Sequence, residues 1–159
     1  MIQAITETAI DIYVQTEDNR IDTSVASTQI RHLVKFTNDL DKSVYYAYGK
    51  TETIKDRYTN INISYGTPNI YTGVVTLFPA GYYKYEIYEV SWIGTVTVSD
   101  GNAPANEDDV LSPVANDKGV VQGLVTKGKM YLAEKDGTQQ VQYTQRQEPS
   151  GTNYIYYGQ

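Results

Sequence analysis

The sequence of 159 residues contains no cysteine, one histidine, one tryptophan and two phenylalanines. Without cysteine, disulfides, thiolate metal ligands and a cysteine nucleophile are excluded. No stretch reaches the roughly 18 consecutive apolar residues of a membrane helix. The start, MIQAITETAI, has neither the basic beginning nor the long apolar middle of a secretion signal. We therefore expect a soluble product made in the cytoplasm, with no membrane partner.

Positive charge is also scarce, because 13 basic residues stand against 19 acidic ones, giving a formal charge of −6. No cluster of lysine or arginine is long enough to follow a phosphate backbone, so we expect no nucleic-acid partner. Hydrophobic residues make up 40% of the chain, which argues against a wholly disordered protein. The length suits one ordinary core, or one domain with an appendage.

Residues typical of catalysis are few. His32, in IRHLVKF, alternates in phase with Val34 and Phe36 and is therefore interpreted as a sheet-face residue. No nucleophile elbow, phosphate loop or dinucleotide motif is present. Glu86 and Glu89 lie among tyrosines, but on a regular strand they face opposite sides and cannot flank one glycosidic bond. We predict a protein that is not an enzyme and holds no cofactor.

One acidic segment, DGNAPANEDD, offers hard oxygen ligands for calcium. Its spacing does not match an EF-hand loop, which requires ligands at alternate positions, a glycine and a closing glutamate. We therefore predict solvated loop acids and no metal site. The residues concerned are Asp100, Asn102, Glu107, Asp108 and Asp109.

Tyrosine, in contrast, is abundant, with 16 residues. A buried phenol needs a hydrogen-bond partner, so tyrosine suits places that are dry at one end and wet at the other, such as sheet edges and protein interfaces. Tyrosine also suits β-strands in general. Both explanations stay open at this point.

The hydrophobic pattern has a period of two along most of the chain, and turn signals such as TNDLD, GTPN, PAG and KDG separate the alternating segments. This spacing predicts an all-β fold, an antiparallel β-sandwich or barrel-like domain. The predicted strands are AIDIYV, IRHLVKF, SVYYAYG, RYTNINISYG, GVVTLF, YYKYEIYEV, GTVTVS, GVVQGLV, KMYLAE, QQVQYTQ and NYIYYG.

Composition divides the chain into three parts. Residues 1–98 are predicted to form the β-sandwich, and residues 99–113 an exposed acidic loop or linker. Residues 114–159 are predicted to form a C-terminal β-meander with a Tyr-rich tail, either as a subdomain or as the completion of the same sheets. A tight turn is expected between GVVQGLV and KMYLAE. MIQAITET and TNYIYYGQ are interpreted as flexible ends that carry apolar residues and could reach neighbours. The tail TNYIYYGQ is predicted to be buried, either in its own sheet or against another copy.

The segment YYKYEIYEVSW changes its apolar phase near Ile87 and Tyr88. This change predicts a β-bulge, a strand that passes from one sheet to another, or a strand end covered on both faces. On a regular strand, one face carries Tyr83, Tyr85 and Ile87, and the other carries Tyr82, Tyr88, Val90 and Trp92.

The segments HLVKFTNDLDKS, LFPAGYYKYEIYE, VVQGLVTKGKMYLAE, VQYTQ and TNYIYYGQ, between about Gln29 and Gln159, resemble small virion structural proteins of tailed bacteriophages. The resemblance implies a β-rich component of the virion, present in many copies, that decorates the capsid or lies at the neck or tail. It implies other virion proteins and further copies of the chain as partners, and transfers no active residue.

We expect the contacts to be made by aromatic and aliphatic side chains of the central strand and the tail. The competing hypothesis is a carbohydrate-binding or host-adhesion module whose exposed tyrosines and Trp92 stack on sugars. The candidate interface residues are Tyr82, Tyr88, Trp92, Tyr154, Ile155, Tyr156 and Tyr157.

Overall fold

A computed structural model describes residues 1–111 and 115–137 of the chain. Two β-sheets pack face to face, so the predicted all-β sandwich is confirmed. Two short 3-10 helices, Glu17–Asn19 and Ser27–Gln29, lie between the second and third strands. The strands are β1 (Ile2–Ile5), β2 (Ile10–Val14), β3 (Ile30–Asn38), β4 (Val44–Tyr48), β5 (Thr51–Ile54), β6 (Thr59–Tyr65), β7 (Val74–Val75), β8 (Gly81–Ser91) and β9 (Val120–Ala133).

The larger sheet has the strand order β1-β9-β8-β3-β4, and the smaller has β2-β6-β5 with β7 also pairing β6. Most pairs are antiparallel, but β1 is parallel to β9 and β7 is parallel to β6. The sheets are therefore mixed, not purely antiparallel as predicted, and among the described strands neither closes into a barrel. β1 and β9 come from distant parts of the sequence, so no hairpin forces them to run antiparallel.

The main core fills the space between the two sheets. Its side chains alternate along the strands, as the period of two predicted, because successive residues of a strand point to opposite faces. Tyr83 and Ile87 of β8 and Val34 and Phe36 of β3 are fully buried there. Isoleucines of β2 and β6 face them from the smaller sheet.

The predicted irregularity in β8 is confirmed. Its pairing with β9 shifts register between Ile87 and Tyr88, and again between Glu89 and Val90. Glu89, Val90 and Ser91 are all buried, so this end of the strand is covered on both faces. The change of apolar phase thus marks the point beyond which both faces of β8 are buried.

β9 corrects the predicted meander. GVVQGLV and KMYLAE belong to one strand of 14 residues, with no tight turn between them. The glycine that suggested the turn, Gly128, pairs with Tyr85, and a Cβ there would lie 2.5 Å from the Tyr85 hydroxyl oxygen. Gly128 therefore allows a close approach within the sheet. The remaining predicted segments, QQVQYTQ and NYIYYG, lie outside the described residues.

Two further expectations are wrong. The start of the chain is not a flexible end, because β1 pairs with β9 through residues 2–5. GTVTVS is not a strand; its Val96 and Val98 pack on a second core on the outer face of the larger sheet. The rest of that core is formed by Leu33, Tyr48, Val90, Trp92 and Ala103, with half-buried neighbours around them.

The segment 99–111 also differs from the exposed loop that its composition suggested. Ala103 is fully buried, and the Tyr48 hydroxyl donates a hydrogen bond of 2.7 Å to the Pro104 carbonyl oxygen. Burial raises the pKa of Tyr48 well above its ordinary value. The segment thus forms a third layer over one end of the larger sheet, and β9 follows it back into that same sheet.

The second core predicts the effect of one substitution. A Cβ at Gly119 would lie 2.6 Å from the Trp92 ring and 2.9 Å from Val90. We expect Gly119→Ala to lower the free energy of unfolding by about 1–3 kcal/mol, because a fully buried indole has little room to move. Urea denaturation measures the change. Asp117→Ala, at an exposed neighbouring position, is the control, and equal stability of the two variants would contradict the prediction.

Candidate functional site

The single histidine lies in a buried polar cluster at one end of the main core. His32 and Glu89 are neighbours across β3 and β8 and are only 2% and 1% exposed. The Nδ1 atom of His32 lies 2.9 Å from Oε2 of Glu52, and its backbone N–H donates to Oε1 of the same carboxylate at 3.0 Å. The histidine therefore joins the two sheets, and its sheet-face assignment is confirmed.

Glu89 holds the segment that precedes β3. Its carboxylate accepts hydrogen bonds from the backbone N–H groups of Ile21 (3.0 Å) and Asp22 (2.8 Å). Asp22 in turn accepts hydrogen bonds from Ser24 and Ser91, which lower the pKa of its carboxyl group. The network therefore ties the segment before β3 to β8 and closes this end of the sandwich.

The acidic segment has a comparable structural contact. Glu107 forms an ion pair with Lys35 and accepts a hydrogen bond of 2.6 Å from the Tyr46 hydroxyl. The bond to Glu107 raises the pKa of Lys35 to about 12. Burial opposes ionisation of Glu107, but the bonds from Lys35 and Tyr46 outweigh it and lower its pKa. Residues 1–111 and 115–137 contain no group of three or more side chains suited to bind a metal ion.

The predicted interface residues have different surroundings. Tyr82 is 55% exposed, whereas Tyr88 is half-buried against the second core. Trp92 is 1% exposed, so its assignment as a contact residue is wrong. Trp92 lies beyond the end of β8, where Val96, Val98 and Ala103 cover the outer face of the sheet. The other four, Tyr154, Ile155, Tyr156 and Tyr157, lie outside the described residues.

Four exposed apolar side chains lie at the opposite end of β8. We call this group the end patch and define it by Leu40 (83% exposed), Phe78 (73%), Tyr82 (55%) and Val44 (44%). These residues come from the turn before β4, the start of β4, the turn before β8 and the start of β8. Sequence reasoning found only Tyr82. The signal for the others was the presence of large apolar residues in the turn segments TNDLD and LFPAG.

Hydrogen bonds hold the turns of the end patch. Oδ1 of Asn38 accepts the Leu40 N–H at 2.7 Å, and the Asp39 N–H donates to the Tyr82 carbonyl oxygen at 2.9 Å. The Tyr45 hydroxyl donates to the Phe78 carbonyl oxygen at 2.5 Å. The turns on either side of the patch are therefore tied to each other and to the larger sheet.

A pair of tyrosines continues this surface along the outer face of the larger sheet. The rings of Tyr82 and Tyr131 are tilted by 51° with their centroids 4.9 Å apart. Nearby, Lys129 of β9 forms an ion pair with Asp39 of the turn that follows β3. The arrangement offers aromatic faces with charged groups around them, which suits contact with another protein.

Comparison with protein-family models, with curated proteins and with solved structures found no significant match. In the part of the chain that the structure describes, no helix has the length and apolar character needed to cross a membrane.

The buried cluster predicts a difference between two glutamates of one strand. Glu89→Gln should lower the free energy of unfolding by about 1–3 kcal/mol, because an amide cannot accept both backbone N–H groups that the carboxylate accepts. Glu86→Gln, on the opposite face beside Lys84, should change it by about 1 kcal/mol or less. Urea titrations of both variants measure this, and equal losses would contradict the assigned role of Glu89.

Glu107 predicts a dependence on pH. Its carboxyl pKa is lowered from 4.5 in the folded chain. Its stabilising effect is therefore present above pH 4.5 and is lost as the pH falls through the lower folded value. Between pH 7 and pH 3, Glu107→Gln should lose about 1 kcal/mol less stability than the unmodified chain.

Thermal unfolding at the two pH values gives this comparison. Asp108→Asn, in the same segment but at an exposed position, is the control and should behave as the unmodified chain does. The role of Glu107 would be rejected if its variant lost as much stability in acid as the control.

Proposed function

We propose that this protein is a non-enzymatic structural component of a tailed-phage virion that acts through protein–protein contacts. The most concrete form of the proposal is a capsid decoration or auxiliary protein, with a neck or tail component as the close variant. Other virion proteins and further copies of the chain are the proposed partners, and the virion is the proposed location.

The end patch is the observation that carries the contact function. Leu40 and Phe78 are both more than 70% exposed. Burying them against a partner would remove apolar surface from water, which is favourable. Contact sites between proteins are enriched in aromatic residues, and a few buried anchors supply most of the binding energy. Phe78 and Tyr82 are side chains of this kind.

The ordered backbone of the end patch also favours binding of a partner protein. Hydrogen bonds hold Leu40 and Phe78 in turns attached to the larger sheet, and Tyr82 belongs to β8 of that sheet. Little backbone ordering is therefore required when a partner binds. The assignment to a virion rests on the resemblance of residues 29–159 to virion proteins, and the patch supports it by offering a surface for assembly.

A carbohydrate-binding or host-adhesion module is the second candidate. The observation that favours it is the pair formed by the exposed Tyr82 and the half-buried Tyr131. Aromatic faces stack on sugar rings. Trp92, the other aromatic residue of this hypothesis, is buried. Binding to a glycan array that is lost in Tyr82→Ala and kept in Tyr58→Ala, which alters a tyrosine elsewhere on the surface, would favour this candidate over the first.

The virion proposal is tested on purified particles, by microscopy and by quantitative mass spectrometry. We expect the protein on the particle at symmetric positions, with copies in the hundreds for shell decoration or roughly a dozen or fewer for a neck or tail. Its absence from particles would overturn the proposal.

The end patch is tested with the double variant Leu40→Ser, Phe78→Ser. We expect its binding to particles that lack the protein to weaken by roughly tenfold or more, since each substitution removes an apolar anchor. The control is Ile93→Ser, which alters a residue of similar exposure at the other end of β8. Circular dichroism confirms that both variants fold, and equal binding by the two would reject the end patch as the contact site.

A further inference from the structure

A polar groove of about 540 Å³ lies between the segment before β3 and the turn that joins β4 to β5. The short 3-10 helix before β3 contributes Ser27 and Thr28, and the start of β3 contributes Arg31. Lys50 lines the groove from the turn after β4. We call it the basic groove, because it combines two cationic side chains with two hydroxyl groups.

The two cations of the basic groove have no acidic partner in the part of the chain that the structure describes. The ion pairs found there involve four lysines and His32, and neither Arg31 nor Lys50 is among them. Glu52 also lines the groove, but its carboxylate accepts the His32 N–H at 3.0 Å and lies 2.9 Å from Nδ1 of that ring. In a chain with a formal charge of −6, two such cations in one groove favour an anionic ligand.

Arg31 is held in place with one edge of its guanidinium group available. Its Nη1 atom donates to the carbonyl oxygens of Thr28 at 3.1 Å and Ile30 at 2.6 Å. The described residues supply no acceptor for Nε and Nη2, which lie side by side on the other edge. Two parallel N–H groups of this kind bind two oxygen atoms of one oxyanion at once. Because the side chain is already fixed, little of its freedom is lost when an anion binds.

The backbone at Lys50 is fixed as well. Its N–H donates to the Asn62 carbonyl oxygen of β6 at 2.8 Å. Gly73 packs directly against it, since a Cβ at that glycine would lie 2.3 Å from the Lys50 nitrogen. The Lys50 side chain, in contrast, is exposed. A flexible ammonium group on a fixed backbone can adjust to an anion that the planar guanidinium group orients.

We propose that the basic groove binds a single phosphate group, as part of a phosphate monoester. Such a group carries roughly two negative charges at neutral pH, which matches Arg31 and Lys50, whereas a carboxylate carries one. Two of its terminal oxygens can bind the Nε–Nη2 edge, and the third remains for Lys50 or for the hydroxyl groups of Ser27 and Thr28. Two cations suit one phosphate group and not a nucleic-acid backbone. This inference is independent of the virion assignment.

Titration of the intact, isotope-labelled chain with inorganic phosphate, followed by NMR, tests the site. We expect saturable shifts of the Arg31 Nε–H signal and of the amides of residues 27–31 and 49–52, with a Kd on the order of millimolar. Chloride keeps the ionic strength constant, because exposed charges also respond to salt. The proposal is overturned if these signals do not shift, or if shifts spread over the surface without saturating.

Acetate, titrated in the same way, distinguishes phosphate from a carboxylate. We expect acetate to bind at least about tenfold more weakly than phosphate, because it carries less negative charge and has fewer oxygen atoms to accept hydrogen bonds. Equal or tighter binding of acetate would assign the groove to carboxylates, such as acidic side chains of a partner protein. That result would overturn the choice of phosphate.

Three variants test the assigned residues. Arg31→Lys keeps the positive charge but removes the paired N–H groups, and Lys50→Gln removes the second cation. Each should weaken phosphate binding by on the order of tenfold. The control is Lys127→Gln, which removes an exposed cation of β9 that does not line the groove and should change the affinity by about twofold or less. The amide spectrum of each variant confirms its fold, and equal affinities of the three would contradict the assigned site.

Discussion

The structure depends on β8 being packed on both of its faces. At its start, Tyr83 and Ile87 face the space between the sheets, while Tyr82 on the other face is exposed. Beyond the register shift at Tyr88, Val90 is buried by a third layer on the outer face. An 11-residue strand thus divides the molecule into an end covered by three layers and an end that offers apolar side chains to solvent. The end patch lies at the end of β8 that the third layer does not cover.

The polar groups of the covered end follow from the same arrangement. Where β8 is buried on both faces, its inward positions still carry Glu89 and Ser91. A buried carboxylate is tolerated only when its oxygens are hydrogen-bonded, and the backbone of the segment before β3 supplies those donors. On the outer face, Glu107 meets Lys35 and Tyr46 in a comparable way. Residues that suggested chemistry in the sequence thus hold loops onto sheets.

Local alternation predicted most of the strands and the two faces of β8, because a period of two is a property of neighbouring residues. Predictions from local alternation were wrong where residues distant in the sequence determine the local structure. A tight turn was predicted between GVVQGLV and KMYLAE, yet the strand continues there and the Tyr85 ring occupies the space above Gly128. MIQAITET has no strong strand signal, yet β1 forms because β9 offers it an edge. Trp92 was placed at an interface, although it is buried with Leu33 and Tyr48 in the second core. Leu40 and Phe78 were missed because turns are ordinarily polar.

The sequence by itself determined the all-β class, the absence of any thiol chemistry and the irregularity near Ile87 and Tyr88. Each of these is readable from composition or from residues close in the chain. Only the tertiary structure decided which strands share a sheet, that β1 runs parallel to β9, and that Trp92 is core while Phe78 is surface. The physical reason is that burial depends on what packs against a residue. The residues that pack with Trp92 include Leu33 and Tyr48, which are far from it in the sequence.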